Sequence, residues 1–176
     1  MRFVNDSTLL LAWVPEAEKD LNEFNRQNYE RLSENLAILE KATDQDGNPF
    51  QIIKVPLPDP LYFTATISDD VSGIDWKDRS SWKVGKDWFW KKGLVTVGDS
   101  INWVAASSYL NYLVTNDAVI LPTYLPEGSS PEKEAEVKAI FSNVFPDRKL
   151  IFLEVMDLNY FGGGIHCITQ QEPLPQ

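Results

Sequence analysis

The residues best suited to chemistry lie together in Phe161-Gly162-Gly163-Gly164-Ile165-His166-Cys167-Ile168-Thr169-Gln170-Gln171. This run holds the chain's only cysteine and only histidine, side by side, behind three glycines. A thiolate is the strongest nucleophile among side chains, and glycines let a backbone come close to a ligand. The adjacent pair suggests a thiol–imidazole dyad, yet neighbours in an extended chain point to opposite faces. His166 is therefore expected to pack or hydrogen-bond within the motif rather than serve Cys167 as acid/base. A structural zinc site needs about four Cys or His ligands, and two are present. No metal and no cofactor is expected.

These residues must be positioned by the surrounding elements. Phe3 to Val14 reads as a buried strand turning at Asn5-Asp6, and Pro15 stops it. Asp20 followed by Glu23 has the pattern of a capping box. Leu21, Phe24, Leu32, Leu36 and Leu39 then recur at threes and fours, which predicts a helix to about Thr43. A turn at Asp46-Gly47-Asn48-Pro49 leads to a strand from Phe50 to Leu57. The same order returns later. Val114-Thr115-Asn116-Asp117 parallels Phe3-Val4-Asn5-Asp6, a helix is expected from Pro131 to Phe145, and Leu150 to Met156 gives the next strand. One such unit cannot bury its own apolar face and must stack on neighbours. The chain thus divides into a first strand–helix–strand blade (1–68), a Trp-rich insert (69–98) and a second blade carrying the Cys167 motif (99–176), all within one domain. Trp76, Trp82, Trp88 and Trp90 give the insert its character, as a loop covering the core or as a lid or partner surface.

Composition excludes several classes of function. A formal charge of −10 argues against nucleic acid, which requires clustered Lys and Arg, and is compatible with cationic ligands. No apolar run reaches the ~18–20 residues of a membrane span, and the first residues do not form a signal peptide. A lone cysteine offers no disulfide framework, so the expected compartment is the reducing cytoplasm.

The terminal motif resembles the nucleophile motif of the agmatine deiminase and bacterial (Porphyromonas-type) peptidylarginine deiminase family. The likeness extends to Arg2-Phe3-Val4, to Pro56-Leu57-Pro58-Asp59-Pro60 and to Ala106-Ser107-Ser108-Tyr109-Leu110-Asn111. It implies a pentein-type α/β propeller built of repeated strand–helix–strand units, of which this chain would hold the last two or so. It also implies amidine hydrolysis: Cys167 attacks a guanidinium carbon, ammonia leaves, and water hydrolyses the thiouronium adduct. By the same resemblance Gly162, Gly163 and Gly164 would let the backbone approach the substrate. Ser108 and Asn111 would line its pocket, or else form a capped turn before the next strand. The implied partner is a small cationic guanidino substrate, agmatine or peptidyl-arginine, with neither nucleic acid nor membrane.

One departure qualifies this. The family's catalytic histidine, in a His-x-Asp motif, and its guanidinium-binding carboxylates lie before the position matching Arg2. The expectation is therefore a C-terminal portion of a deiminase whose N-terminal half is missing, by itself inactive, with exposed edges that could pair as a homo-oligomer. The alternatives are a non-catalytic fragment or paralogue acting as an interaction module through the Trp-rich insert, and a cysteine hydrolase with a dyad of its own.

Overall fold

The computed structural model describes residues 1–73, 78, 81–85, 95–170 and 172. Trp76, Trp88, Trp90 and Gln171 lie outside the described residues, so only Trp82 of the four insert tryptophans can be placed. The chain forms two compact units, one of residues 1–60 with 106–176 and one of residues 61–105.

The first unit contains two copies of one pattern. In the first copy β1 (Arg2–Phe3) pairs antiparallel with β2 (Thr8–Trp13), and β2 pairs parallel with β3 (Gln51–Pro56) across α1 (Glu23–Leu39). In the second copy β7 (Leu113–Val114) pairs antiparallel with β8 (Ala118–Thr123). There β8 pairs parallel with β9 (Lys149–Glu154) across α2 (Pro131–Val144). In each copy a parallel pair is joined through a helix, as parallel pairing requires. The copies match even in their flanking bonds: the carbonyls of Ser7 and Asp117 accept the N–H groups of Gln51 and Lys149, each at 2.9 Å.

The ungapped alignment of the two copies holds for the first strand and then slips. Phe3 faces Leu9 while Val114 faces Val119, so the intervening hairpin runs over 4–8 in one copy and 115–118 in the other. Leu9 is thus the counterpart of Val119, not of Ile120. The distinction matters because side chains alternate along a strand and a one-residue shift exchanges the faces.

The helix start also differs from expectation. A 3₁₀ turn at Glu16–Glu18 continues through Leu21, whose N–H reaches the Glu18 carbonyl, and this takes Asp20 out of the cap position. Asn22 caps α1 instead, accepting the Asn25 N–H at 2.8 Å, and Leu21 is left exposed ahead of the helix. A buried Asn25 on the apolar face is accounted for by its carboxamide, which donates to the Glu18 carbonyl at 3.0 Å. Leu9, Leu11 and Leu39 form a core joined by Trp13, Leu32, Leu36, Phe50 and Ile52.

The second copy buries Val119, Leu121, Val137, Phe141 and Phe145. Tyr112 packs edge-on against Phe141, ring centroids 4.9 Å apart. Lys133, on the first turn of α2, ties the copies together through Glu18 at 2.6 Å and Asp59 at 2.7 Å. Asp59 also accepts the Ser130 N–H at 2.7 Å.

In the second unit β4 (Tyr62–Ser68) runs parallel to β5 (Lys83–Gly85) and antiparallel to β6 (Ser100–Val104). Along β4 buried Phe63, Ala65 and Ile67 alternate with exposed Tyr62, Thr64 and Thr66, the period of a strand with one covered face. Phe63 meets Trp82 and Trp103 edge-on. The boundaries of this unit, at 60/61 and 105/106, lie outside the 69–98 span set by tryptophan content, because β4 and β6 pair with each other rather than with the blades.

Candidate active site

The glycine–cysteine motif follows a short helix, α3 (Met156–Tyr160), and is not on a strand. Gly162 sits at φ 78°, in the left-handed region that residues with a Cβ avoid. Its N–H bonds the Asn159 carbonyl at 3.0 Å and that of Gly163 bonds the Leu158 carbonyl at 3.0 Å. Together these two bonds form a Schellman ending that closes the helix. The chain then folds into a 3₁₀ turn, His166–Ile168, in which the Cys167 N–H reaches the Gly164 carbonyl at 3.1 Å. Ile165 is buried and anchors the turn, whereas Cys167 is exposed with a free thiol. The expectation of extended chain at His166-Cys167 is thus corrected: helix closure at Gly162 and the 3₁₀ turn bend the backbone away from extended geometry.

The second wall of the site is the 106–111 segment. Ser108 builds a turn there: its hydroxyl accepts the Leu110 N–H at 3.2 Å and its carbonyl accepts the Asn111 N–H at 3.1 Å. Its own N–H donates to the Tyr124 hydroxyl at 2.8 Å. Tyr109 and Tyr124 are buried edge-on at 5.2 Å, and burial pushes both phenols above their ordinary pKa. The turn presents Asn111 to the motif. Its Oδ1 accepts the His166 N–H at 2.7 Å, and its Nδ2 donates to Cys167 Sγ at 3.4 Å. The backbone N–H can only donate, so it fixes which end of the carboxamide faces it and leaves the NH₂ for the sulfur.

Gly164 makes this contact possible. A Cβ there would stand 2.4 Å from Cγ and Nδ2 of Asn111, so the carboxamide occupies the space a side chain would need. At Gly163 the nearest atoms are the Leu158 carbonyl at 3.5 Å and Cys167 Cβ at 3.9 Å, an ordinary fit. The three glycines therefore do different things. Gly162 supplies a backbone conformation, Gly164 supplies room for Asn111, and the crowding around Gly163 excludes nothing.

A cleft of about 260 Å³ adjoins the contact, lined by Met1, Arg2, Ser108, Leu110, Asn111 and His166. Arg2 stacks 4.6 Å over the Tyr112 ring and donates to the Tyr112 carbonyl at 3.3 Å. Among the described residues the lining therefore has a fixed cation and no carboxylate that could hold a guanidinium flat. Among the described residues no group of three or more His, Cys, Asp and Glu could hold a metal ion, and no helix is long and apolar enough to cross a membrane. Sequence reasoning singled out Cys167, Gly162, Gly163, Gly164, Ser108 and Asn111; the structure sets Asn111 on the Cys167 sulfur, Ser108 in the turn that carries Asn111, and the three glycines in the turn before Cys167. It did not single out Arg2 as a cleft residue, nor Asn159. The available signal for the latter was a lone amide between apolar Leu158 and Tyr160.

Taken together, the fold and the site define an α/β repeat protein that presents an exposed thiol, clasped by a carboxamide, on a glycine-built turn. The family model for Porphyromonas-type peptidyl-arginine deiminase matches residues 1–173, and the chain belongs to that family. An agmatine deiminase from Pseudomonas fluorescens is 29% identical over 174 residues, covering 99% of this chain and 39% of the relative. One from Pseudomonas putida is 30% identical, covering 98% of this chain and 39% of the relative. The chain thus spans about two fifths of the length of the curated relatives it matches. Among solved structures, the agmatine deiminase of Enterococcus faecalis superposes with a TM-score of 0.61 at 25% identity, covering 97% of this chain and 38% of that one. The C. jejuni agmatine deiminase gives 0.53 at 15% identity, covering 94% of this chain and 35% of that one; it shares the fold. The fold class is the pentein-type α/β propeller of these proteins, represented here by two repeated units.

Proposed function

We propose that this chain carries the nucleophile of a cytoplasmic guanidino-group deiminase. Its favoured substrate is agmatine, hydrolysed to N-carbamoylputrescine and ammonia on a route to putrescine; peptidyl-arginine is the other candidate. The observation that supports this best is the Asn111–Cys167 contact. The Nδ2 donor points at the sulfur at 3.4 Å, and the cysteine is exposed where a substrate can reach it.

In the proposed reaction the Cys167 thiolate attacks the guanidinium carbon and forms a C–S bond. One C–N bond then breaks, and the amine leaves as ammonia with a proton from an acid. Water adds to the thiouronium carbon, the C–S bond breaks, and the product is a urea with the thiolate regenerated. His166 is not assigned the proton transfers. Only its backbone N–H meets Asn111, and among the described residues no hydrogen bond joins its imidazole to Sγ of Cys167. The acid/base and the carboxylates that hold the guanidinium are assigned to the additional length that the relatives have.

The test is labelling of Cys167 by a haloacetamidine, which mimics the guanidinium, against iodoacetamide, which does not. A formed guanidinium site gives the amidine a clear rate advantage in a protein carrying the full length of the relatives. Equal rates there would argue against deimination. The 176-residue chain alone is expected to release ammonia from agmatine negligibly, since loss of a general acid/base typically costs ~10²–10⁴-fold.

A further inference from the structure

The Asn111–Cys167 contact depends on how two separate segments, 106–111 and 162–167, are held together. One residue bonds both. Asn159, at the end of α3, is 1% exposed. Its carboxamide Nδ2 donates to the Gly163 carbonyl at 2.8 Å and to the Ala106 carbonyl at 3.3 Å. Its backbone carbonyl accepts the N–H groups of Gly162 at 3.0 Å and of Ala106 at 3.2 Å. All four bonds end on backbone atoms of the two walls of the site. The side-chain pair carries most of the information about register, because a backbone carbonyl is present whatever residue stands at 159.

We propose that Asn159 is a positioning residue that sets the register of the two walls and thereby the seat of Asn111 on the nucleophile. The Gly163 carbonyl, pinned by Nδ2, fixes the orientation of the next peptide and with it Gly164, whose missing side chain is the space that Asn111 fills. The Ala106 carbonyl, held by the same NH₂, fixes the start of the turn that carries Asn111. Both protons of one planar amide are used, and they point in directions set by that plane. A shorter side chain cannot reach both carbonyls. Aspartate has the right shape and the wrong polarity, since the oxygen standing in place of Nδ2 would face two carbonyl oxygens. That Cys167 is a nucleophile rests on the proposed deiminase reading; that Asn159 governs the contact does not.

The experiment is amide hydrogen exchange by NMR on the 176-residue chain, read at the His166 N–H, with the Asn111 side-chain NH₂ resonances alongside. Variants are Asn159→Ala and Asn159→Asp, with Val137→Ala as a control that loosens the buried face of α2 away from the site. Both Asn159 variants are expected to raise His166 exchange by at least ~10-fold and to move the Asn111 NH₂ signals, corresponding to loss of a bond worth ~1.4 kcal/mol. The control should leave both in place at a comparable loss in thermal midpoint. A folded Asn159→Asp or Asn159→Ala protein with wild-type His166 protection overturns the proposal, and so does a control that moves the same signals equally. Haloacetamidine selectivity is measured separately in the longer protein. Its absence there would overturn the deiminase reading and leave the exchange result to decide Asn159.

Discussion

Substituting the three adjacent glycines by alanine, one at a time, separates two physical roles and one tolerant position that the sequence presents as a single run. Gly164→Ala places a Cβ 2.4 Å from the Asn111 carboxamide, a separation that real contacts do not sustain, so the amide must swing away. It then gives up its bonds to the His166 N–H and to Sγ. Overpacking costs ~1–3 kcal/mol and a lost hydrogen bond ~0.5–1.5 kcal/mol. Asn111 lies at the end of a movable side chain and His166 is exposed, so the freed groups can rehydrate and the sum falls near the lower end. The expected loss is about 2 kcal/mol, or roughly 4–8 °C in thermal midpoint at this chain length, with alkylation of Cys167 changed several-fold. Gly162→Ala meets no atom within 4 Å but must hold φ near 78°, which costs about 1 kcal/mol. Gly163→Ala has ordinary contacts and should be neutral, or stabilising by up to ~1 kcal/mol through the unfolded chain. The decisive assay is a double-mutant cycle. With Asn111→Ala the obstructing amide is gone, so Gly164→Ala should cost less than ~0.5 kcal/mol there, a coupling of at least ~1 kcal/mol. If Gly164→Ala costs the same in both backgrounds, or if Gly163→Ala is as damaging, the reasoning about room for Asn111 is wrong.

Further outcomes follow from the clamp between the two repeats and from the helix start. Lys133→Met should cost about 1–2 kcal/mol by chemical denaturation, between the values for exposed and buried pairs, since Lys133 is 14% exposed and its partners are more so. Burial acts to raise the Asp59 carboxyl, but the Lys133 ammonium and the Ser130 N–H outweigh it and hold it below its ordinary value. Asp59 therefore contributes stability that is complete above the unfolded carboxylate pKa near 4 and is lost as pH falls through its lower folded value. Burial acts to lower the Lys133 ammonium, but its bonds to Asp59 and Glu18 hold it above its ordinary value. Its contribution is present below about pH 10.4 and is lost only at more alkaline pH. Urea midpoints measured from pH 2 to 6 should fall more gently on the acid side in Lys133→Met; an unchanged acid limb would refute the role. Asn22→Ala should lose about 1 kcal/mol by thermal unfolding while Asp20→Ala changes little, and the reverse order would place the cap where the sequence pattern put it.

Much of the fold could be read along the chain. The helices α1 and α2, the paired strands around them and the repeat itself follow from local rules, namely a 3.6-residue apolar period, proline stops and turn residues. What misled was also local. The Asp20–Glu23 spacing fits a capping box, but the 3₁₀ turn before it shifts the helix start to Asn22, and that turn is stabilised by Asn25 reaching back to Glu18. Residues 61–105 were divided by tryptophan content, whereas strand pairing between β4 and β6 sets their limits.

For the site, sequence alone singled out Cys167 as the candidate nucleophile, because the chain has only one thiol and its neighbours resemble a known motif over consecutive residues. Tertiary structure decided the geometry around it. Asn111 and Cys167 are 56 residues apart, and no periodicity links them. Their contact arises because a Schellman closure at Gly162, the missing side chain at Gly164 whose space Asn111 fills, and a buried amide at Asn159 bring two distant loops to hydrogen-bonding distance. Local spacing encodes secondary structure because its hydrogen bonds join near neighbours. A site assembled from such distant segments is encoded only in the packing of the whole unit.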